Sequence, residues 1–470
     1  MNRLGSVDDG TTTTDYDEDE IERKITINTA LAHCEWKGHK INLLDTPGYR
    51  AFILDAKSAM AAAETVVVVI DATSGVEVQT ETVWEFAGEF ELPRIVVINK
   101  LDRDNSSFQR ALNSLNEAFG REVVPVQIPI GREKDFRGVV DLVKNKAYIM
   151  PWDDKGDYTV EEIPPDLQDE VESRREALIE MVAESDDALM EKFFDEGTLS
   201  AQEIREGLAV SIRKGLIYPV FCAAFSHNIG TQAILDAVTD LCPDPLSRRP
   251  IPAIDKASSE ETTWEIQPDG KPAGFVFKTF ADPFAGRINL VKVYSGTFKS
   301  DTVLKNLSKG TDERLGTLQA IQGKSHDAVS EVHTGDICGV LKLKETATGD
   351  TLGDPSLKIE FARIHYPEPS ISFAIEPASR GDEDKIGSAV SRIMEEDPSL
   401  RFTRDPQTKE FLLSGSGQIH IEVSVAKLKK KYGVEVLLKT PKVPYRETIT
   451  GTADVQGRPV SYTHLTLPTN

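Results

Sequence analysis

Two short polar segments carry the residue types of a nucleotide-binding site. Residues 45–48 read Asp-Thr-Pro-Gly and follow the apolar run 41–44, and residues 99–102 read Asn-Lys-Leu-Asp and follow the apolar run 94–98. A third strand pattern, at 65–71, lies between them. Because loops at the carboxyl ends of parallel strands form ligand sites in α/β sheets, the order predicts such a site here.

The first segment has the chemistry of a phosphate and metal site. Asp45 at a strand end can hold Mg²⁺ through a water, because Mg²⁺ prefers hard oxygen ligands and keeps much of its hydration shell. Gly48, three residues later, lets a backbone N–H approach a terminal phosphate without an intervening side chain.

The second segment has the chemistry of guanine recognition. The Asp102 carboxylate can accept hydrogen bonds from guanine N1–H and N2–H₂, and adenine lacks this pair of donors. The Lys100 stem can cover the purine face, and Asn99 can tie neighbouring loops together. Either segment alone is also an ordinary turn or strand exit, and it is their order around a buried strand that favours the nucleotide interpretation.

Two further positions can complete the site. Thr26 offers a hydroxyl and a carbonyl to a metal ion, although a β-branched strand residue explains it equally well. Strand 218–222 runs into Ala223 and Ala224, whose backbone N–H groups can meet guanine O6. Tight packing is the alternative explanation for these small residues.

The chain resembles the elongation factor G family of ribosomal GTPases, and in particular its elongation-factor-G-like paralogues. The similarity covers about residues 1–458 and is carried by segments 22–27, 36–40, 45–48, 79–84, 129–133, 293–297 and 344–352.

The resemblance implies roles for single residues. It implies Thr26 and Asp45 at the metal, with Asp45 acting through a water. It also implies a GTP site formed by Asp45, Thr46, Pro47, Gly48, Asn99, Lys100, Asp102, Ala223 and Ala224.

The resemblance also implies a function. The complete protein would bind GTP and Mg²⁺ and couple GTP hydrolysis to tRNA–mRNA translocation, with ribosomal RNA and the stalk protein as partners. The alternatives are a paralogue acting in ribosome recycling or protection and a non-hydrolysing, GTP-sensing ribosome binder.

One family motif is absent. The sequence has no Gly-x-x-x-x-Gly-Lys-Ser/Thr phosphate loop, and residues 323–325 (Gly-Lys-Ser) imitate only its end, with Leu318 in place of the first glycine. The family places this loop, and the strand before it, upstream of Asn2. We therefore expect this chain to be part of a longer protein and, by itself, to bind GTP poorly and to be inactive as a GTPase.

Two other positions depart from the family pattern. Tyr49 stands where translational GTPases carry a histidine that positions the attacking water, and a phenol is a poor general base at neutral pH. Tyr49 and Gly48 are nevertheless the predicted catalytic residues. Residues 459–470 match nothing expected of the family, so we expect an unrelated tail.

Composition limits the kinds of partner. The 470 residues carry 54 basic and 77 acidic side chains and a net charge of −23, which argues against general affinity for nucleic acid, including DNA. Segment 153–210 holds 19 acidic and only 5 basic residues, either as a solvated helical face or as a contact for the stalk protein. The Lys-rich segment 427–431 either faces ribosomal RNA or is a solvated helix end.

Cysteine usage and apolar runs indicate the compartment. Cys34, Cys222, Cys242 and Cys338 are dispersed and form no Cys-x-x-Cys pair, which predicts reduced thiols in a cytoplasmic protein. No apolar run reaches about 18 residues, so we expect no membrane span.

The alternation of patterns predicts a multidomain α/β chain. We expect a P-loop-type GTPase domain without its first strand and P-loop, with a helical and β insert, and then a β-barrel and an α+β ferredoxin-like domain. The predicted bounds are 1–128 with 216–246 for the GTPase domain and 129–215 for the insert. The β-barrel is predicted at 247–355, the α+β domain at 360–440, and the start of a further domain at 441–458. Within these bounds, 246–270 reads as a linker, Asp166 as the cap of one helix, and Ser200 with Glu203 as the capping box of another.

Overall fold

The structure is a computed structural model, and it describes residues 4–152, 155–282, 286–379, 383–445, 447–448, 450–452 and 454–455. The predicted tail at 459–470 lies outside the described residues, as do parts of the predicted segment 441–458.

The first 125 residues alternate between strands and helices, as the apolar periodicity predicts. Their elements are α1 (Glu18–Arg23), β1 (Ala30–Trp36), β2 (His39–Asp45), α2 (Ile53–Ala62), β3 (Val66–Asp71), α3 (Val78–Glu89), β4 (Arg94–Asn99), α4 (Phe108–Phe119) and β5 (Val123–Pro125).

An insert of strands and helices follows. It contains β6 (Gln127–Ile130), β7 (Gly138–Asp141), β8 (Lys146–Ile149), β9 (Thr159–Glu161), α5 (Gln168–Ala183), α6 (Asp187–Glu196) and α7 (Ala201–Lys214). Its four strands form one antiparallel sheet. The predicted capping box of α7 is confirmed, because the Ser200 hydroxyl accepts from the Glu203 N–H and the Glu203 carboxylate accepts from the Ser200 N–H. The Asp166 prediction is wrong: a 3₁₀ turn at Pro165–Leu167 comes first, and the cap position of α5 is Leu167.

The α/β pattern resumes with β10 (Tyr218–Cys222) and α8 (Thr231–Asp240). The strands β3, β4, β10 and β5 pair in that order as a parallel sheet. In this register Asp71 lies beside Asn99, and Ile98 beside Cys222. The carboxyl ends of three strands therefore meet at one edge. Strands β1 and β2 form a separate antiparallel pair.

The next region is rich in β-structure, as predicted. Its strands are β11 (Ile251–Asp255), β12 (Glu261–Trp264), β13 (Ala273–Asp282), β14 (Gly286–Ser295), β15 (Thr297–Lys299), β16 (Val303–Asn306), β17 (Thr311–Arg314), β18 (Leu318–Gln322), β19 (Ser325–Val329), β20 (Glu331–His333), β21 (Ile337–Leu341), β22 (Thr351–Gly353) and β23 (Ile359–Phe361). Eight of them form one antiparallel sheet around buried apolar side chains. The prediction of a linker at 246–270 is wrong, because β11 pairs with β12 and with β23 and so makes a three-stranded sheet.

The last described unit is a two-layer α+β domain. It contains β24 (Ile371–Pro377), α9 (Glu383–Glu396), β25 (Arg401–Arg404), β26 (Phe411–Gly415), α10 (Gln418–Tyr432) and β27 (Val436–Lys439). The strand order β25-β26-β24-β27 with two crossing helices is ferredoxin-like, as predicted. Strand β25 is an addition that the sequence pattern did not show, because its residues are mostly polar and exposed.

Helix α2 connects these units. The buried Lys278 ammonium on β13 lies 2.6 Å from the Asp55 carboxylate of α2. The Tyr294 hydroxyl on β14 donates to the Ala61 carbonyl at 2.7 Å. The Phe52 ring, just before α2, packs edge-on against His420 of α10, with 5.9 Å between ring centroids. The helix that follows the Asp-Thr-Pro-Gly segment thus contacts both the barrel and the α+β domain.

Candidate nucleotide site

Asn99 lies at the point where three strand ends meet. It is the last residue of β4. Its side-chain carbonyl accepts from the Phe225 N–H at 3.1 Å, and its backbone carbonyl accepts from the Ala72 N–H at 2.9 Å. One residue therefore joins the loop after β3 to the loop after β10, which is the loop-tying geometry that the sequence predicts for it.

Asp102 presents a buried acceptor that has no partner. Its side chain is 8% exposed, and one carboxylate oxygen, Oδ1, has no hydrogen-bond partner. The other oxygen, Oδ2, accepts from the Ser226 hydroxyl at 3.3 Å and lies 3.8 Å from His227 Nε2. Leaving a buried carboxylate oxygen without a donor costs free energy, so the site is suited to a ligand that supplies N–H groups.

Lys100 is held by an aspartate that the sequence interpretation did not include. Its ammonium lies 2.7 Å from the Asp71 carboxylate, and its backbone has a positive φ of 62°. Burial raises the pKa of Asp71, but the hydrogen bonds from Lys100 and Thr73 outweigh that effect and hold its pKa below the ordinary value. The lysine ammonium is thereby held at the end of β3, with half of the side chain exposed.

Ala223 and Ala224 are fully buried next to this group. The Ala223 carbonyl accepts from the Leu101 N–H at 3.3 Å, so the two loops are adjacent. The Ala223 N–H donates to Ile98 and the Ala224 N–H to Ile229. Their predicted contact with guanine O6 stays a prediction, and in this conformation both N–H groups already have backbone acceptors.

A second group of side chains, whose oxygen atoms could bind a cation, lies near Asp45, the last residue of β2. The Thr26 hydroxyl donates to the Asp15 carboxylate at 2.8 Å. Burial raises the pKa of Asp45, the neighbouring Asp15 raises it further, and a hydrogen bond to the Thr14 side chain acts in the opposite direction. A bound cation would offset the repulsion between the two carboxylates. Thr26 belongs to no strand, so the alternative of a strand residue is wrong.

The turn after Asp45 leaves space beside its backbone. Pro47 is buried, Thr46 is half-buried, and Gly48 and Tyr49 are exposed, with 47% of Tyr49 accessible to solvent. A Cβ built on Gly48 would meet no atom within 4 Å. Packing within the chain therefore does not require glycine here, and the predicted approach of a phosphate to its backbone stays a prediction.

Several residues of this site were not found from the sequence. Asp71 could have been found, because it ends a strand as Asp45 does. Asp15, Ser226 and His227 gave no local signal. They join the site only through contacts across the fold, with Thr26 and with Asp102.

Comparison with known sequences identifies the family of the chain. The family model described as the elongation factor Tu GTP-binding domain matches residues 1–244, elongation factor G domain 2 matches 271–354, and elongation factor G domain III matches 366–440. The chain belongs to the elongation factor G family. The predicted fold class, a GTPase-type α/β domain followed by a β-barrel and an α+β domain, is confirmed.

Individual relatives agree with the assignment. The chain is 38% identical over 458 residues to elongation factor G of Fervidobacterium nodosum, a match covering 97% of this chain and 66% of the relative. It is 39% identical over 461 residues to elongation factor G of Thermotoga petrophila, covering 98% and 66%. The crystal structure of a Thermus thermophilus protein superposes with a TM-score of 0.83 at 31% identity, over 95% of this chain and 64% of that one. The chain thus spans just under two thirds of the length of these relatives.

Two features are absent from the part of the chain that the structure describes. None of its helices is both long enough and apolar enough to cross a membrane. No three His, Cys, Asp or Glu side chains in the described ranges are grouped so as to hold a metal ion by themselves.

Proposed function

We propose that the complete protein is a ribosome-associated GTPase that couples GTP hydrolysis to tRNA–mRNA translocation. Membership of the elongation factor G family supports the reaction, and the loops at the carboxyl ends of β4 and β10 support the choice of nucleotide. Phosphoryl transfer of this kind is catalysed by positioning and electrostatics, so the groups on this chain act by holding the substrate and a water.

The observation that carries the proposal is the unpartnered Oδ1 of Asp102. Guanine offers N1–H and one N2–H side by side, one for each carboxylate oxygen. Oδ2 can accept this second bond, since a carboxylate oxygen has two lone pairs and Ser226 uses one. Adenine offers no such pair. Each hydrogen bond to a charged group contributes about 1.5–3 kcal/mol, so selection of guanine over adenine by a factor of about 100 or more is expected.

The test is to replace the carboxylate by an amide. In Asp102→Asn, the amide carbonyl accepts from N1–H and the amide NH₂ donates to the 2-oxo group of xanthine. With the protein expressed from its complete open reading frame, we expect GDP affinity to fall by about tenfold to a hundredfold. Xanthosine diphosphate affinity should rise. Asp104→Asn, two residues along on the exposed turn, is the matched control. Unchanged base preference in Asp102→Asn would rule out the guanine assignment.

Mg²⁺ is the proposed cofactor, and the donor set fits it. Asp45, Asp15 and Thr26 offer hard oxygens only, which Mg²⁺ prefers, and these three are too few for a full octahedral shell. Thr26 would bind directly and Asp45 through a water, with phosphate oxygens and further waters completing the shell. The ion would neutralise charge on the phosphates, while the chain itself holds Gly48 N–H near the terminal phosphate.

Tyr49 favours a second candidate function. It stands in the position where translational GTPases carry histidine, and it is exposed next to the open backbone at Gly48. A phenol can hold a water but accepts its proton poorly at neutral pH. An elongation-factor-G-like paralogue acting in ribosome recycling or protection, or a non-hydrolysing, GTP-sensing ribosome binder, fits this residue. Ribosome-stimulated GTP turnover and a polypeptide-synthesis assay separate the three.

The proposed partners follow from the same assignment. Ribosomal RNA and the ribosomal stalk protein are the expected contacts, in the cytoplasm, with neither DNA nor a membrane involved. The acidic helices α5 and α6 of the insert are one candidate surface for the stalk protein, and the exposed Phe194 on α6 would supply an apolar contact there.

A further inference from the structure

The guanine loop, residues 224–230, reaches Asp102 through Ser226 and His227. It contains a 3₁₀ turn at Phe225–His227 and a left-handed residue, Asn228 with φ of 54°. Its Ser226 hydroxyl donates to Asp102 Oδ2 at 3.3 Å, a long hydrogen bond that a small movement of the loop would break. The orientation of the Asp102 carboxylate therefore depends on where this loop is held.

The insert reaches across and packs on this loop. The Trp152 indole stacks on the His227 ring, with 4.3 Å between centroids and 22° between planes. Its ring N–H donates to the buried Phe136 carbonyl at 2.7 Å, so the indole is anchored in the insert. Because Trp152 is bonded to the insert and stacked on the loop, it transmits the position of the insert to the guanine loop.

A second contact between the same two segments supports this. Gly156 of the insert approaches Asn228 of the loop, and its carbonyl accepts at 2.8 Å from the side chain of Gln232, which lies just after the loop on α8. A Cβ on Gly156 would lie only 2.7 Å from Asn228 Nδ2, and the residue has a positive φ of 78°. Glycine is needed here for the backbone conformation and for the close approach of the two segments. The insert and the guanine loop therefore dock at two points.

We propose that Trp152 of the insert is a positioning residue for guanine recognition, acting through the stack on His227 and the adjacent Ser226 to hold the Asp102 carboxylate. The inference rests on the proposed function and adds to it a determinant of base specificity outside the Asn-Lys-x-Asp segment. Trp152 contacts the loop, not the base. Removing the indole lets the loop move, and the order it loses must be regained on binding.

The distinguishing readout is selectivity between GDP and inosine diphosphate. Inosine lacks the 2-amino group, so the affinity ratio reports the second hydrogen bond to the carboxylate alone, and a value of about 10 or more is expected for the native protein. In Trp152→Ala we expect the ratio to fall at least about threefold, because a misplaced carboxylate cannot accept both bonds. Contacts to the phosphates are common to the two ligands and cancel in the ratio.

The variants form a matched set, measured by calorimetry with the protein from its complete reading frame. Trp152→Phe retains a flat ring and should recover most of the ratio. His227→Ala removes the same stack and also its approach to Asp102 Oδ2, so it should lower the ratio at least as far as Trp152→Ala. It tests the stack if Trp152→Ala fails to fold. Tyr158→Ala, in the same insert and in contact with Tyr148 instead, should leave the ratio unchanged.

The outcomes separate the two claims. If Asp102→Asn does not shift preference towards xanthine, the proposed function itself is wrong. If that shift occurs while Trp152→Ala and His227→Ala both keep the native GDP-to-inosine-diphosphate ratio, the positioning role of Trp152 is overturned and the guanine site stands. An equal loss in Tyr158→Ala would also overturn it, because the effect would then be general to the insert.

Discussion

At the scale of single residues, some groups of the site already have hydrogen-bond partners within the protein, and others do not. Asn99 and Lys100 are engaged, with Phe225 and with Asp71, so they act as supports. Asp102 Oδ1 is buried and lacks a hydrogen-bond donor. The backbone at Gly48 has space beside it for a closely packed ligand. A site whose supports are preorganised loses little entropy when the ligand arrives.

Tyr49 gives the residue-scale prediction. We expect Tyr49→His to raise ribosome-stimulated GTP turnover of the complete protein about tenfold or more, because an imidazole can accept a proton from the attacking water and a phenol cannot at neutral pH. GDP affinity should not change, since the side chain lies on the exposed side of the turn. The turnover is measured as steady-state phosphate release with purified ribosomes, and Arg50→His at the neighbouring position is the control. Unchanged turnover would show that water is positioned by another group.

At the scale of elements, α9 and α10 are joined by a buried imidazole. His420 is 2% exposed, and its Nδ1 accepts from the Ser416 N–H at 3.1 Å. Its Nε2 must therefore carry the proton, and it donates to Asp397 at 2.6 Å. The pKa of Asp397 lies well below its ordinary value: burial opposes the shift, and the hydrogen bonds from His420 and Ser399, with the nearby charge of Lys278, outweigh burial.

This pair predicts the acid sensitivity of the α+β domain. A carboxylate with a lowered folded-state pKa binds fewer protons folded than unfolded, so its stabilising contribution is complete above its ordinary pKa of 3.8 and is lost as pH falls below it. With 35% of the side chain exposed, solvent screening keeps the contribution modest.

We expect Asp397→Asn to flatten the fall in stability between about pH 4 and pH 2. Urea midpoints at several pH values measure this slope, with Glu435→Gln, at an exposed position of the same domain, as control. A native slope that persists in Asp397→Asn would assign the acid sensitivity to other carboxylates.

At the scale of the whole molecule, domain packing depends on charges that are buried between units. Lys278 of the barrel is 6% exposed and pairs with Asp55 of α2, which also accepts from the Thr29 N–H at 2.5 Å. Breaking such a pair leaves a buried charge without a partner, which typically costs about 3–5 kcal/mol. The helix after the candidate phosphate turn is thus electrostatically tied to the barrel.

We predict that Lys278→Met destabilises the protein by about 3–5 kcal/mol and that adding Asp55→Asn recovers part of this loss. The amide remains an acceptor for Thr29 but carries no charge. Denaturant unfolding followed by fluorescence measures both. Lys429→Met, which breaks an exposed pair with Glu435, should cost about 1 kcal/mol or less. If the double variant were no more stable than Lys278→Met alone, the unpaired carboxylate would not be the cause.

Local sequence patterns are enough to show which strands end in polar residues that could bind a ligand. Buried strands have continuous or alternating apolar residues, so β2, β3, β4 and β10 are visible as patterns, and the polar residues after β2 and β4 stand out against them. The order of these segments predicts a nucleotide site, the resemblance of several short segments predicts the family, and Ser200 with Glu203 predicts a helix start. Local chemistry of this kind depends only on neighbours within a few residues.

Local sequence does not show which distant side chains contact those segments, because these contacts form only when the whole chain folds. Trp152 meets His227 and Lys278 meets Asp55 across long stretches of chain, and no local pattern marks a residue as one half of such a pair. The sequence predicts a linker where β11 and β12 lie, because prolines and polar residues hide a strand whose partner, β23, comes about a hundred residues later. Non-local pairing is set by packing of the whole chain, and packing is a property that no short window of sequence contains.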